Sequence, residues 1–148
     1  MVHLSIDYLE KCLILEVPTL TNVQTEIDRR KLDEKLPTMP WFVQQFIDYK
    51  LPDLSPSTLL EHLRDYDTFS SWLRAEGLSA ASTNTEITLL ELEVLRMDSV
   101  TAYRLFLTTK REGANSRITV SRKLSSLRSL FHYLSQIAED EDFYPLLK

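Results

Sequence analysis

Two glycines in 148 residues, Gly77 and Gly113, leave the chain almost without the residue that tight hairpin turns consume. A sheet protein of this length needs many such turns and a helical one needs few, so the expectation is an all-α fold. At 43% hydrophobic composition, the chain carries enough apolar side chains for one domain with a buried core. Cys12 is the sole cysteine, which excludes an intramolecular disulfide and a multi-cysteine zinc site. It lies in the apolar run Cys12-Leu13-Ile14-Leu15 with no histidine nearby, the setting of a packed thiol and not of a nucleophile. No apolar stretch approaches the ~20 residues of a bilayer helix. No signal-peptide pattern opens the chain either, so a soluble, cytoplasmic protein without a membrane partner is expected.

Hydrophobic spacing divides the chain. Residues 1–20 fit a helical face through Leu4, Tyr8, Cys12 and Leu15, although Leu13 to Val17 would serve equally as a strand ended by Pro18. From about Asn22 to Lys35, charges of both signs alternate around Val23, Ile27 and Leu32, the pattern of an exposed, ion-paired helix. Trp41, Phe42, Val43, Phe46 and Ile47 predict a short core helix behind Pro40. Ser55 can cap a longer one that carries Pro56 in its first turn, an apolar stripe of Leu59, Leu63, Tyr66, Phe69 and Leu73, and Gly77 just past its end. Residues 78–87 are small and polar and read as a loop, and Thr88 to Val94 as a short helix. Asp98 is the expected cap of a helix that buries Val100, Tyr103, Phe106 and Leu107 and breaks at Gly113. The last helix is expected over residues 116–138.

Net charge is −5, which would by itself argue against a nucleic acid partner. Its distribution reverses that inference. Residues 110–136 hold Lys110, Arg111, Arg117, Arg122, Lys123 and Arg128 against Glu112 alone, while the rest of the chain is acidic. On a helical wheel, Val120, Leu124, Leu127, Leu130, Phe131, Leu134 and Ala138 form one core stripe. The opposite side carries Arg117, Ser121, Arg122, Ser125, Arg128, Ser129 and His132, with no acidic residue between Glu112 and Glu139. Small hydroxyl side chains between arginines let a helix lie close to phosphates and base edges. The competing reading is a solvated basic face that pairs with the acidic remainder of the protein. Lys123 falls beside the core stripe, where its stem can run along the helix side.

The segment Thr119-Val120-Ser121-Arg122-Lys123-Leu124-Ser125-Ser126-Leu127-Arg128-Ser129-Leu130-Phe131-His132-Tyr133-Leu134 is similar to T-I-x-R-x-L-S-A-L-R-x-F-Y-x-Y-L of the tyrosine recombinases. Thr58-Leu59, Asp65, Phe69 and Trp72-Leu73 fall on an earlier helix pattern of that family, with His62 where tyrosine is usual and Tyr66 where leucine is usual. Met39-Pro40-Trp41-Phe42-Val43, Glu61 and Tyr66-Asp67 resemble the Xer type that works alone rather than as a pair.

The resemblance implies a four- to five-helix, SAM-like core-binding domain over 22–148 with an extra N-terminal helical segment in 1–21, and it implies no cofactor. Helices 56–76 and 116–138 would cross double-stranded DNA on the face opposite a catalytic domain. Thr58 would contact phosphate, and Arg117, Ser121, Arg122, Ser125 and Ser126 would lie against the groove, with Lys123 as a further contact. Thr58 could instead bond locally at the helix start, and Arg128 could contact DNA or pair with an acidic neighbour. The implied partners are other recombinase protomers in a tetramer on DNA and the translocase FtsK, in chromosome dimer resolution or DNA integration.

Catalysis in this family needs a nucleophilic tyrosine and a set of phosphate-stabilising cations from the C-terminal domain. That domain is expected to be absent from this chain, so no catalytic residue and no enzyme activity are assigned. His3, His62 and His132 lie in different segments without metal-ligand spacing, and Glu139 to Asp142 read as a solvated acidic turn. The alternative function is a helical protein-interaction or regulatory module that uses an acidic surface and the Trp41/Phe42 cluster and has no role for DNA.

Overall fold

Ser55 does what its position suggests: its Oγ accepts a hydrogen bond of 3.2 Å from the Thr58 N–H, and Pro56 follows in the first turn. The helix launched there is the centre of the structure. A computed structural model describes residues 20–110 and 116–139. Its helices are α1 (Leu20–Lys35), α2 (Trp41–Lys50), α3 (Pro56–Ala75), α4 (Leu89–Glu93), α5 (Met97–Leu105) and α6 (Arg117–Glu139). With no strand among the described residues, the fold class is all-α. The segment holding Cys12, the expected break at Gly113 and the acidic run from Asp140 to Asp142 lie outside the described residues.

α3 packs against α1, α2 and α6. Its predicted stripe is buried throughout, joined by Leu60 and Trp72. From α2 come the buried Phe42, Val43, Phe46 and Ile47, while Trp41 lies at the surface with its ring edge-on to Phe42. Phe46 sits between Tyr66 of α3 and Tyr133 of α6, at centroid distances of 5.8 and 5.3 Å. A second aromatic group joins Phe69 and Trp72 to Tyr103 of α5, each at 5.0 Å in the T-shaped or tilted geometry that ring quadrupoles favour. α3 ends at Gly77, whose φ of +73° is one that a side chain would disfavour.

Several local expectations are corrected. Among the described residues, the charges of α1 form one ion pair within the helix, Glu26–Arg30 at 4.0 Å. Its buried Leu32 and Asp28 turn inward, and Ser57 of α3 donates a 2.5 Å hydrogen bond to Asp28. The loop after Gly77 contains a 3-10 turn at Asn84–Glu86. There the buried Asn84 donates to Asp67 (2.9 Å) and accepts from Arg74 (2.8 Å). α5 starts one residue before Asp98, with Arg96 as its N-cap, so Asp98 lies inside the first turn and does not cap. Val100 is exposed, and past Leu105 the helix widens into a π turn at Phe106–Lys110 that carries the buried Leu107.

Candidate nucleic-acid interface

α6 begins behind Ser116, whose Oγ accepts from the Thr119 N–H at 3.2 Å, and runs for 23 residues with its two sides sharply different. Val120, Leu127, Leu130 and Leu134 are buried and Leu124 and Phe131 half-buried, as the wheel requires, with Tyr133 and Ile137 adding to the core. Arg117, Ser121, Ser125, Arg128, Ser129 and His132 are exposed. Ala138 belongs to the stripe by spacing, but its side chain lies outside the described set.

Between the two sides lies the seam with α3, built around Asp65, which is only 1% exposed. Lys123 Nζ donates to Asp65 Oδ1 at 3.0 Å, while Ser126 Oγ and Arg122 Nη1 donate to Oδ2 at 2.7 and 3.1 Å. A buried carboxylate is tolerable only when its lone pairs are satisfied and its charge matched, and these three donors do both. Arg122 also donates to Glu61 at 2.9 Å, and Glu61 reaches Arg64 at 3.5 Å. Tyr66 donates its hydroxyl to the Ser126 carbonyl at 2.8 Å. Burial raises the Tyr66 phenol far above its ordinary value, and the Asp65 charge adds to the effect, so the phenol stays protonated as a donor. His62 Nδ1 lies 3.1 Å from Ser126 Oγ. Because Ser126 gives its proton to Asp65, His62 is the donor of that bond.

The residues singled out from the sequence therefore fall into four groups. Arg117, Ser121, Ser125 and Arg128 project outward, and no described acidic group is within ion-pairing distance of either arginine. Arg122 stands at the seam, 43% exposed, with two carboxylates on it. Lys123 and Ser126 are buried beneath the face and directed at Asp65. Thr58 is exposed near the start of α3, and its hydroxyl accepts a local 3.0 Å bond from Ser55.

Residues without a sequence-derived role also enter the region. Asp65 and Glu61 organise the seam, and Arg104 and Thr108 approach α6 from α5 and its π turn. An Asp three turns along an amphipathic helix gives no local sign of a partner near residue 123, and Arg104 looks like one more solvated cation. Only the tertiary arrangement brings them in. Among the described residues, no group of three His, Cys, Asp or Glu could hold a metal ion, and no helix is long and apolar enough to cross a membrane.

No family model matches the chain, and no solved structure matches it significantly. Curated sequences do. The chain is a relative of the Xer-type tyrosine recombinases over 83% of its length. The relatives include proteins named tyrosine recombinase XerS: that of Streptococcus sanguinis is 33% identical over 132 residues, and those of Streptococcus mutans and Streptococcus agalactiae are 34% identical. The match covers 37% of each relative's length.

Proposed function

We propose that this chain is the non-catalytic, DNA-binding part of a site-specific tyrosine recombinase and that it grips duplex DNA with α6 and the beginning of α3. The observation that carries this reading is the outward face of α6, where Arg117 and Arg128 alternate with small hydroxyls and have no acidic partner among the described residues. Such a face offers phosphate oxygens both charge and short donors. Kinship with recombinases supports DNA as the class of partner. Thr58, Arg117, Ser121, Ser125 and Arg128 are the contacts proposed from the surface, with Arg122 at the seam. Lys123 and Ser126 contribute from beneath by holding α6 in register with α3. Association into a tetramer on DNA, an answer to FtsK, a cytoplasmic setting, and chromosome dimer resolution or DNA integration as the process all belong to this proposal.

A salt series of mixed-sequence duplex binding tests the reading. Affinity should fall linearly with salt on logarithmic axes, with a slope near −0.9 for each phosphate neutralised. The double variant Arg117→Glu/Arg128→Glu should abolish binding and leave the helical signal intact. A folded chain that binds no duplex at low salt defeats the proposal.

One feature favours the second reading, a protein-interaction module. Leu90 on α4, Val94 just past its end and Met97 at the start of α5 are 68%, 65% and 77% exposed, and large apolar side chains left in solvent within one short segment suit a protein contact. Under that reading, the double arginine variant leaves partner binding unchanged.

A further inference from the structure

The face of α6 is not electrostatically uniform. On the α3 side, Asp65 and Glu61 already compensate Arg122 and Lys123. On the α5 side, a cleft of about 580 Å³ opens between α6 and the end of α5, lined by Arg104, Thr108, Arg117, Ser121, Ser125 and Arg128. None of its three arginines forms an ion pair with a described residue.

We propose that this cleft, completed by Arg104 of α5, binds a backbone phosphodiester of the DNA, so that α5 is a third element of the grip. The inference rests on the DNA-binding reading above and adds to it a residue and a place. Three cations that line one cleft with no counter-charge among the described residues repel one another, and a bound anion relieves that repulsion. Guanidinium groups present planar forks suited to phosphate oxygens, and the Ser121 and Ser125 hydroxyls are short donors on the same wall.

The local backbone supports this use. The π turn at Phe106–Lys110 directs the Thr108 hydroxyl back onto the carbonyls of Arg104 and Leu105, at 3.1 and 3.0 Å. The one Thr108 hydroxyl proton is shared between these two oxygens, and Thr109 Oγ1 also donates to the Leu105 carbonyl at 2.7 Å, so hydroxyl donors offset part of the negative charge the carbonyls would present to an anion. An acidic protein segment is the competing ligand. The phosphodiester is favoured because the cleft shares a wall with the hydroxyl-bearing face of α6, in a chain related to enzymes that act on DNA.

The test is a salt series of duplex binding by the 148-residue chain and its single variants. Arg104→Ala should weaken binding about fivefold irrespective of duplex sequence and make the salt slope shallower by about one unit, the signature of one lost phosphate contact. Arg104→Lys should recover the slope. Arg30→Ala, an exposed cation on α1, should change neither. If Arg104→Ala impairs folding, Arg104→Gln takes its place and should behave alike.

A wild-type chain that binds duplex and is weakened by Arg117→Glu, yet is indifferent to Arg104→Ala, overturns the cleft and leaves the wider reading standing. A wild-type chain that binds no duplex overturns both. Loss of affinity with an unchanged salt slope also overturns the proposal, since it assigns Arg104 a packing role.

Discussion

Lys123 Nζ lies 3.0 Å from Asp65 Oδ1, and both side chains are withdrawn from solvent. The pair joins the two longest helices at the centre of their seam, with Ser126 and Arg122 on the second carboxylate oxygen. Replacing Asp65 with Ala should therefore leave a buried ammonium without its counter-charge, which costs about 3–5 kcal/mol. Lys123→Met should cost less, because Asp65 keeps Arg122 and Ser126. Denaturant unfolding of the three proteins measures both effects. A loss under about 1 kcal/mol for Asp65→Ala would mean that solvent reaches the seam.

Under the DNA-binding proposal, Glu61 would compete with phosphate for Arg122. Its carboxylate spans 2.9 Å to Arg122 and 3.5 Å to Arg64, so it neutralises two cations from two helices at the exposed edge of the seam. Glu61→Gln should tighten duplex binding about threefold, in line with the modest worth of exposed pairs. Most of the gain should vanish when Arg122→Ala is present as well. A gain that persists in full in the double variant would show that Glu61 acts only as a general negative charge. The readout is the dissociation constant at one fixed ionic strength.

The elements that the sequence made legible are those decided within one or two turns of chain. The α6 stripe follows from apolar period alone, Ser55 and Gly77 mark the ends of α3 by local chemistry, and the Trp41–Ile47 cluster announces α2 by composition. What was not legible depends on approach between distant segments. Lys123 reads as a cation beside a core stripe until α3 brings Asp65 to it from 58 positions away. Asp98 looks like a cap, yet the helix starts earlier, where Ser99 Oγ faces the Arg96 N–H at 3.5 Å. Arg104 comes to share a cleft with Arg117 and Arg128 only through the approach of α5 to α6, which hydrophobic period does not announce.

His62 gives the fold a dependence on pH. Burial lowers its pKa below the ordinary 6.5, and Arg122 and Lys50 act in the same sense against the opposing Asp65 and Glu61. The unfolded chain then binds a proton more readily than the folded one, so stability rises with pH across this interval. The contribution is complete above the unfolded value and is lost as pH falls from about 6.5 towards the lowered folded value. Unfolding free energy should decline below that pH, with a slope of at most about 1.4 kcal/mol per unit from this residue. His62→Gln should flatten that part of the curve. An unchanged profile in the variant would assign the slope to other groups.

Glu91 has two tasks in one side chain, and its removal should be felt at both. Oε1 accepts from the Thr88 N–H at 2.9 Å while Thr88 Oγ1 accepts from the Glu91 N–H at 3.2 Å, which closes a capping box at the start of α4. Oε2 accepts from the Ala80 N–H at 2.7 Å and so ties the loop after α3 to the same turn. Partial burial raises the Glu91 pKa, but hydrogen bonds from Thr88, Ser79 and Ala80 outweigh it and hold the carboxyl below its ordinary value. The ionised form is thus favoured by folding, and its contribution, present above the unfolded value, is lost as pH falls through the lowered folded value. Thr88→Ala should cost about 1 kcal/mol by losing the cap alone. Glu91→Ala should cost about twice that, because the Ala80 N–H loses its partner too. Amide exchange should separate the tasks: Thr88→Ala speeds exchange in α4 only, whereas Glu91→Ala also speeds it at Ala80. Equal exchange at Ala80 in the two variants would show that the loop is held by its other bonds, among them Arg74 to the Ser82 carbonyl at 3.0 Å.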